Sequence, residues 1–91
     1  MKVLLLREAR PSQNTKTKNV IPVLKAGMEF KVEMLWATPQ GIFMCRCDGG
    51  RFLLDLPCNS TLRITDKSEM PQFGSDAAKL FYFTHKEGDI I

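Results

Sequence analysis

Long apolar runs are missing from this chain. The opening stretch Val3 to Leu6 is broken by Arg7 and Glu8, well short of the roughly 20 residues of a membrane-spanning helix or the core of a secretory signal. The reading is a soluble, intracellular and cytoplasmic protein with no membrane partner. Histidine occurs once, as His85, near the end of the sequence. General acid–base and nucleophilic catalysis need a titratable group held by a partner, and no thiol lies near His85 in sequence, so an enzyme is not expected. No glycine-rich loop leads into a helix: Gly49-Gly50 falls between two extended segments, which argues against a phosphate cradle. Cysteine is also scarce. The three residues Cys45, Cys47 and Cys58 are an odd number for a disulfide framework and read as reduced thiols. Cys45 and Cys47, two apart on an extended segment, share one face and read as small buried hydrophobes. With Cys58 and His85 they make four soft ligands, but a one-residue gap along a strand is a poor tetrahedral chelate. No metal and no cofactor are expected.

What is present is ordinary globular material. The 91 residues, 44% hydrophobic and 25% charged, suit one domain with a single core and neither disorder nor a second domain. The net charge of +3 hides an uneven distribution. Residues 1–46 carry eight bases against three acids, and residues 47–91 carry five against seven. A bipolar chain of this kind is not uniformly suited to an anionic partner.

Alternation with a period of two is the dominant pattern. Between Glu29 and Trp36 it places Phe30, Val32, Met34 and Trp36 on one side and Glu29, Lys31 and Glu33 on the other, which pleated backbone explains and helical backbone does not. Lys2 to Arg7 reads as a first strand. Arg10 to Asn19 is polar and basic and reads as a solvated, mobile loop. Val20 to Leu24 is apolar, with Pro22 restricting it to a sheet edge. Thr38-Pro39-Gln40-Gly41 has the arrangement of a type I turn, and Asp48-Gly49-Gly50 supplies the positive backbone angles of a tight hairpin. Ile42 to Cys47, Arg51 to Leu56 and Thr61 to Thr65 are then strands. Residues 66–74 read as a polar linker and residues 75–91 as a C-terminal extension. In that extension Ser75-Asp76 cap a turn of helix near 75–79, and the aromatic run Leu80 to Thr84 favours a strand.

With the turns placed, residues 24–64 resemble a Src-homology-three-like small β-barrel. The shared features are the Leu24-Lys25-Ala26-Gly27 entry, a strand and short loop, two strands joined by a glycine turn, and Leu56-Pro57-Cys58-Asn59-Ser60 before a closing strand. The resemblance implies an all-β, five-stranded barrel over residues 1–65, within a single domain spanning 1–91. It does not imply a function. Members that read proline-rich peptides carry tyrosines near the first strand and in the last turn; here the single tyrosine is Tyr82, so that activity is not expected.

Apolar side chains exceed what one barrel interior accepts. Leu35 and Leu53 project away from the inward series of their strands, and Arg46, Arg51 and Tyr82 are of types that anchor interfaces. A protein-binding module or inhibitor is therefore expected, contacting its partner through Leu35, Arg46, Arg51, Leu53 and Tyr82. It would suit a phage or mobile-element regulator that blocks a larger machine, and a homodimer is a further option. The alternative is nucleic-acid binding through Arg7, Arg10, Lys16, Lys18 and Lys25, a set with no interleaved aromatic residue to stack on bases.

Overall fold

Wherever apolar and polar residues alternate for five positions or more, the backbone is extended. The computed structural model describes residues 1–10, 13–14, 23–56 and 61–91. Within them lie β1 (Lys2–Leu5), β2 (Gln13–Asn14), β3 (Glu29–Ala37), β4 (Phe43–Cys47), β5 (Phe52–Leu56), β6 (Leu62–Asp66), β7 (Gln72–Phe73) and α1 (Asp76–Thr84). Six strands form one antiparallel path in the order β2-β5-β4-β3-β1-β6, and β7 runs parallel to β3 beside it. The sheet curls around a single core in which buried residues of β1, β3, β4, β5, β6 and α1 form one cluster. Phe30 and Phe52 meet edge to face across it at 5.8 Å.

The turns follow their sequence signals. Gly41 N–H donates to the Thr38 carbonyl at 2.9 Å, closing the β3–β4 turn. At the β4–β5 hairpin Asp48, Gly49 and Gly50 all have positive φ, of 54°, 71° and 82°, a run that side chains other than glycine, asparagine or aspartate rarely tolerate.

The sheet is open where the sequence suggested a closed five-stranded cylinder, and the reason is the C-terminal segment. Residues 88–91 lie along the outer edge of β6: Leu62 and Ile64 donate to the carbonyls of Ile91 and Asp89, while Ile91 and Gly88 donate back to those of Leu62 and Ile64, at 2.7–3.0 Å. That edge is thus occupied by residues 88–91. Gln13–Asn14, inside the stretch read as a loop, pairs with Leu53 and Phe52 of β5. The proposed edge strand over residues 20–24 shows only its end, Leu24, bridged to Ala9; Pro22, like the Pro57 to Ser60 turn and Cys58, lies outside the described residues.

A β-bulge in β3 overturns the reading of its face. Val32 pairs with Cys47, but Met34 pairs with Arg46 and Leu35 with Cys45, so β3 uses one extra residue, Glu33, against one step of β4. An extra residue reverses the sidedness of everything after it. Leu35, expected outside, is 0% exposed in the core, and Trp36, expected inside, is half-buried on the opposite face. The bulge is held by side chains: Glu33 Oε1 accepts from Gly49 N–H, and Asp48 Oδ1 accepts from Lys31 N–H at 2.9 Å.

Beyond the bulge the edge of β3 changes partner. β1 covers Glu29 to Lys31, and β7 pairs with Met34 and Leu35, so part of the supposed linker is a strand. Gly74 approaches closely enough that an added Cβ would lie 2.8 Å from Trp36 Cβ. Ser75 then accepts through Oγ from Ala37 N–H at 3.0 Å and from Ala78 N–H at 3.2 Å, capping α1 and fixing its start to the end of β3. The predicted strand at 80–84 is helical instead. Ala78 and Tyr82, four apart, are its buried residues, and this i, i+4 stripe together with the cap outweighs the β preference of the aromatic run. Phe81 packs on Phe43 at 4.7 Å between ring centres, whereas Leu80 and Phe83 are 67% and 57% exposed.

The bulge makes two leucines differ. Leu35→Ala is expected to lower the unfolding free energy by about 2–5 kcal/mol, the range for a buried leucine, and Leu53→Ala by about 1 kcal/mol or less. Urea melts of the two variants check this; equal losses would contradict the register. Gly74→Ala should cost about 1–3 kcal/mol through overpacking on Trp36, read as a lower melting temperature.

Candidate functional site

Strands β3, β4 and β5 turn one set of side chains into the core and the other outward. Cys45, Cys47, Phe52, Leu54 and Leu56 face inward and are buried. Met34, Trp36, Met44, Arg46, Leu53 and Asp55, on the other side, are half-buried. Register makes the outward set contiguous: Trp36 stands opposite Met44, Met34 opposite Arg46, and Arg46 opposite Leu53. Directly opposed side chains in antiparallel strands lie about 5 Å apart at Cβ, so these residues form one surface.

Of the five residues expected to meet a partner, three remain on or beside this surface. Arg46 and Leu53 are cross-strand neighbours, and Arg51 is exposed at the hairpin end, its guanidinium 5.2 Å from the centre of the Phe52 ring. Leu35 is withdrawn into the core by the bulge. Tyr82 is withdrawn by the helix: it is 4% exposed and its hydroxyl donates to the Lys67 carbonyl at 3.2 Å. Met34 and Trp36 join the surface in their place. Their signal in the sequence is degenerate, because Met34, Leu35, Trp36 and Ala37 are all apolar and no polar residue after Glu33 marks the solvent side.

Arg46 is held loosely. Its Nε lies 3.7 Å from Glu33 Oε2, too far for a hydrogen bond, and is enclosed without an acceptor. The side chain as a whole stays 41% open. Across Met34 the surface continues into a depression of about 300 Å³ lined by Lys31, Glu33, Arg46, Met70, Pro71 and Gln72 among others. Lys31 there is paired with Glu69 at 2.9 Å. The pairing raises the Lys31 pKa and holds the Glu69 carboxyl below its ordinary value.

The basic residues of the alternative site are dispersed or neutralised where they are described. Arg7 and Arg10 are exposed on either side of the Ala9–Leu24 bridge, and Lys25 is tied to Glu8 at 3.2 Å. Lys16 and Lys18 lie outside the described residues. The thiols of Cys45 and Cys47 are 3.8 Å apart in the core. Their contact and their burial push the Cys47 thiol far up, which leaves it protonated and inert. His85 is half-buried: its ring stacks on Phe81 at 4.1 Å and Nδ1 lies 2.7 Å from the Phe81 carbonyl. Among the described residues no cluster of three or more metal-ligating side chains occurs, and no helix is long and apolar enough to cross a membrane.

No protein-family model, curated protein or solved structure matches the chain.

Lys67 and Tyr82 fasten α1 behind this surface. Lys67 Nζ donates to the carbonyls of Tyr82 and His85 at 2.8 and 2.5 Å and sits 4.1 Å over the Tyr82 ring. A cation at the helix C-terminus is favoured by the helix dipole as well. Burial raises the Tyr82 pKa above 10.0. The folded state therefore keeps its phenol proton when the unfolded chain has lost it, so Tyr82 contributes fully below pH 10 and its contribution falls as pH rises beyond that. Tyr82→Phe is expected to flatten the alkaline loss of stability in melts run on both sides of pH 10, and an unchanged slope would contradict this assignment.

Proposed function

We propose that this chain is a non-enzymatic protein-binding module, an inhibitor or regulator of a larger protein, that docks through the outer face of β3, β4 and β5. The supporting observation is the contiguity of Met34, Trp36, Met44, Arg46 and Leu53 on one partly open surface. Methionine, aromatic residues and arginine are enriched in protein interfaces, and tryptophan and arginine supply a large share of their hot spots. The curled sheet is a rigid platform beneath them, so little order has to be imposed on binding. A fold-level Src-homology-three-like resemblance is supported by the order of the strands described between residues 24 and 64.

Nucleic-acid binding finds less support, since Lys25 already has a carboxylate partner and the exposed Arg7 and Arg10 have no aromatic residue near them in sequence.

Met44→Glu and Leu53→Glu test the reading. Both variants should keep the circular dichroism and the melting behaviour of a folded chain while losing a cross-linked protein complex recovered from host lysate treated with nuclease. A complex that survives both substitutions, or that disappears with nuclease alone, would sink it.

A further inference from the structure

The charges around the depression beside Met34 are unequally satisfied. Lys31 is paired with Glu69 at 2.9 Å, and one Glu33 oxygen is taken by Gly49 N–H. Arg46 has a 3.7 Å contact with the other Glu33 oxygen, and its Nε–H has no acceptor. An arginine in this condition sits in an apolar setting, with Met34 and Leu53 opposite it on the two neighbouring strands. Nε itself is enclosed, so what a partner can meet is the rest of the guanidinium, on a side chain that stays 41% open and pairs well with a carboxylate.

We infer that the partner presents an aspartate or glutamate side chain, flanked by apolar residues, which pairs with Arg46 while its neighbours cover Met34, Trp36 and Leu53. This deepens the protein-binding reading and rests on it. Guanidinium and carboxylate match as a planar fork, so the pair fixes orientation as well as affinity. Glu33 is a weak competitor: at 3.7 Å it makes no hydrogen bond to Nε, and its other oxygen is committed to the hairpin. The depression, about 300 Å³, is at the lower end of ligand-site volumes and suits one or two side chains of a docked segment. Arg51, exposed beside the same surface, adds to the preference for an anion.

The test uses short random peptides displayed on phage and selected against the immobilised full chain. Selected peptides are expected to share an aspartate or glutamate next to leucine, methionine or an aromatic residue. As synthetic peptides they should change the fluorescence of Trp36, the single tryptophan. Changing that acid to its amide, or Arg46→Met in the protein, should weaken binding by about tenfold to a hundredfold, the effect of losing a charge-assisted hydrogen bond. Arg46→Lys should restore part of it. Peptides that need Leu53 but show no acid preference, or that bind Arg46→Met unchanged, overturn the inference and leave the protein-binding face standing. Selection yielding no peptide sensitive to Leu53→Glu overturns both. A monomer–dimer equilibrium abolished by Leu53→Glu would assign the face to a second copy and overturn the inference too.

Discussion

The carboxylate of Glu33 holds the one irregularity on which the rest of the molecule is built. By accepting from the Gly49 amide it pins the β4–β5 hairpin to the extra residue of β3, and Asp48 reinforces the same junction by accepting from Lys31 and donating its own amide to the Lys31 carbonyl. A bulge also sharpens local twist. Here it divides β3 into a first half that pairs with β1 and a second half that pairs with β7. It also exchanges the faces, sending Leu35 inward and Trp36 outward. Core, platform and helix seat thus follow from one polar residue in the middle of a strand.

The helix is fixed at both ends by groups from outside it. Ser75 ties its start to Ala37 of β3, and Lys67 ties its end through the Tyr82 and His85 carbonyls. A helix of nine residues is too short to persist alone in water, so these anchors and the burial of Ala78 and Tyr82 decide its conformation. Its aromatic residues divide accordingly. Phe81 joins Phe43 and His85 in one stack, Tyr82 packs against Phe73, and Phe83 reaches Phe73 from the solvent side.

Much of the sheet was legible in the sequence because its signals are local. The Thr38 to Gly41 and Asp48 to Gly50 turns, the strands they join, and the burial of Cys45 and Cys47 follow from turn chemistry and alternation. The face of β3 was not legible, since four successive apolar residues after Glu33 fit either parity and a bulge is decided by a hairpin sixteen positions away. The conformation of residues 80–84 was hidden for a related reason: their aromatic composition favours a strand, and the edges open to such a strand are taken by residues 88–91 and by β7. The candidate site was half readable. Arg46, Arg51 and Leu53 lie where alternation places them, and Leu35 and Tyr82 were lost to the bulge and to the helix.

The pairing of residues 88–91 along β6 has a consequence for the solubility of the fold. An open sheet exposes a row of amides and carbonyls at its border, the template on which chains stack into fibrils. Residues 88–91 cover that border with backbone hydrogen bonds, and the buried side chain of Ile91 holds them in place. Displacing so short a segment would uncover the ladder of Leu62 to Ile64 and leave an edge on which another chain could pair.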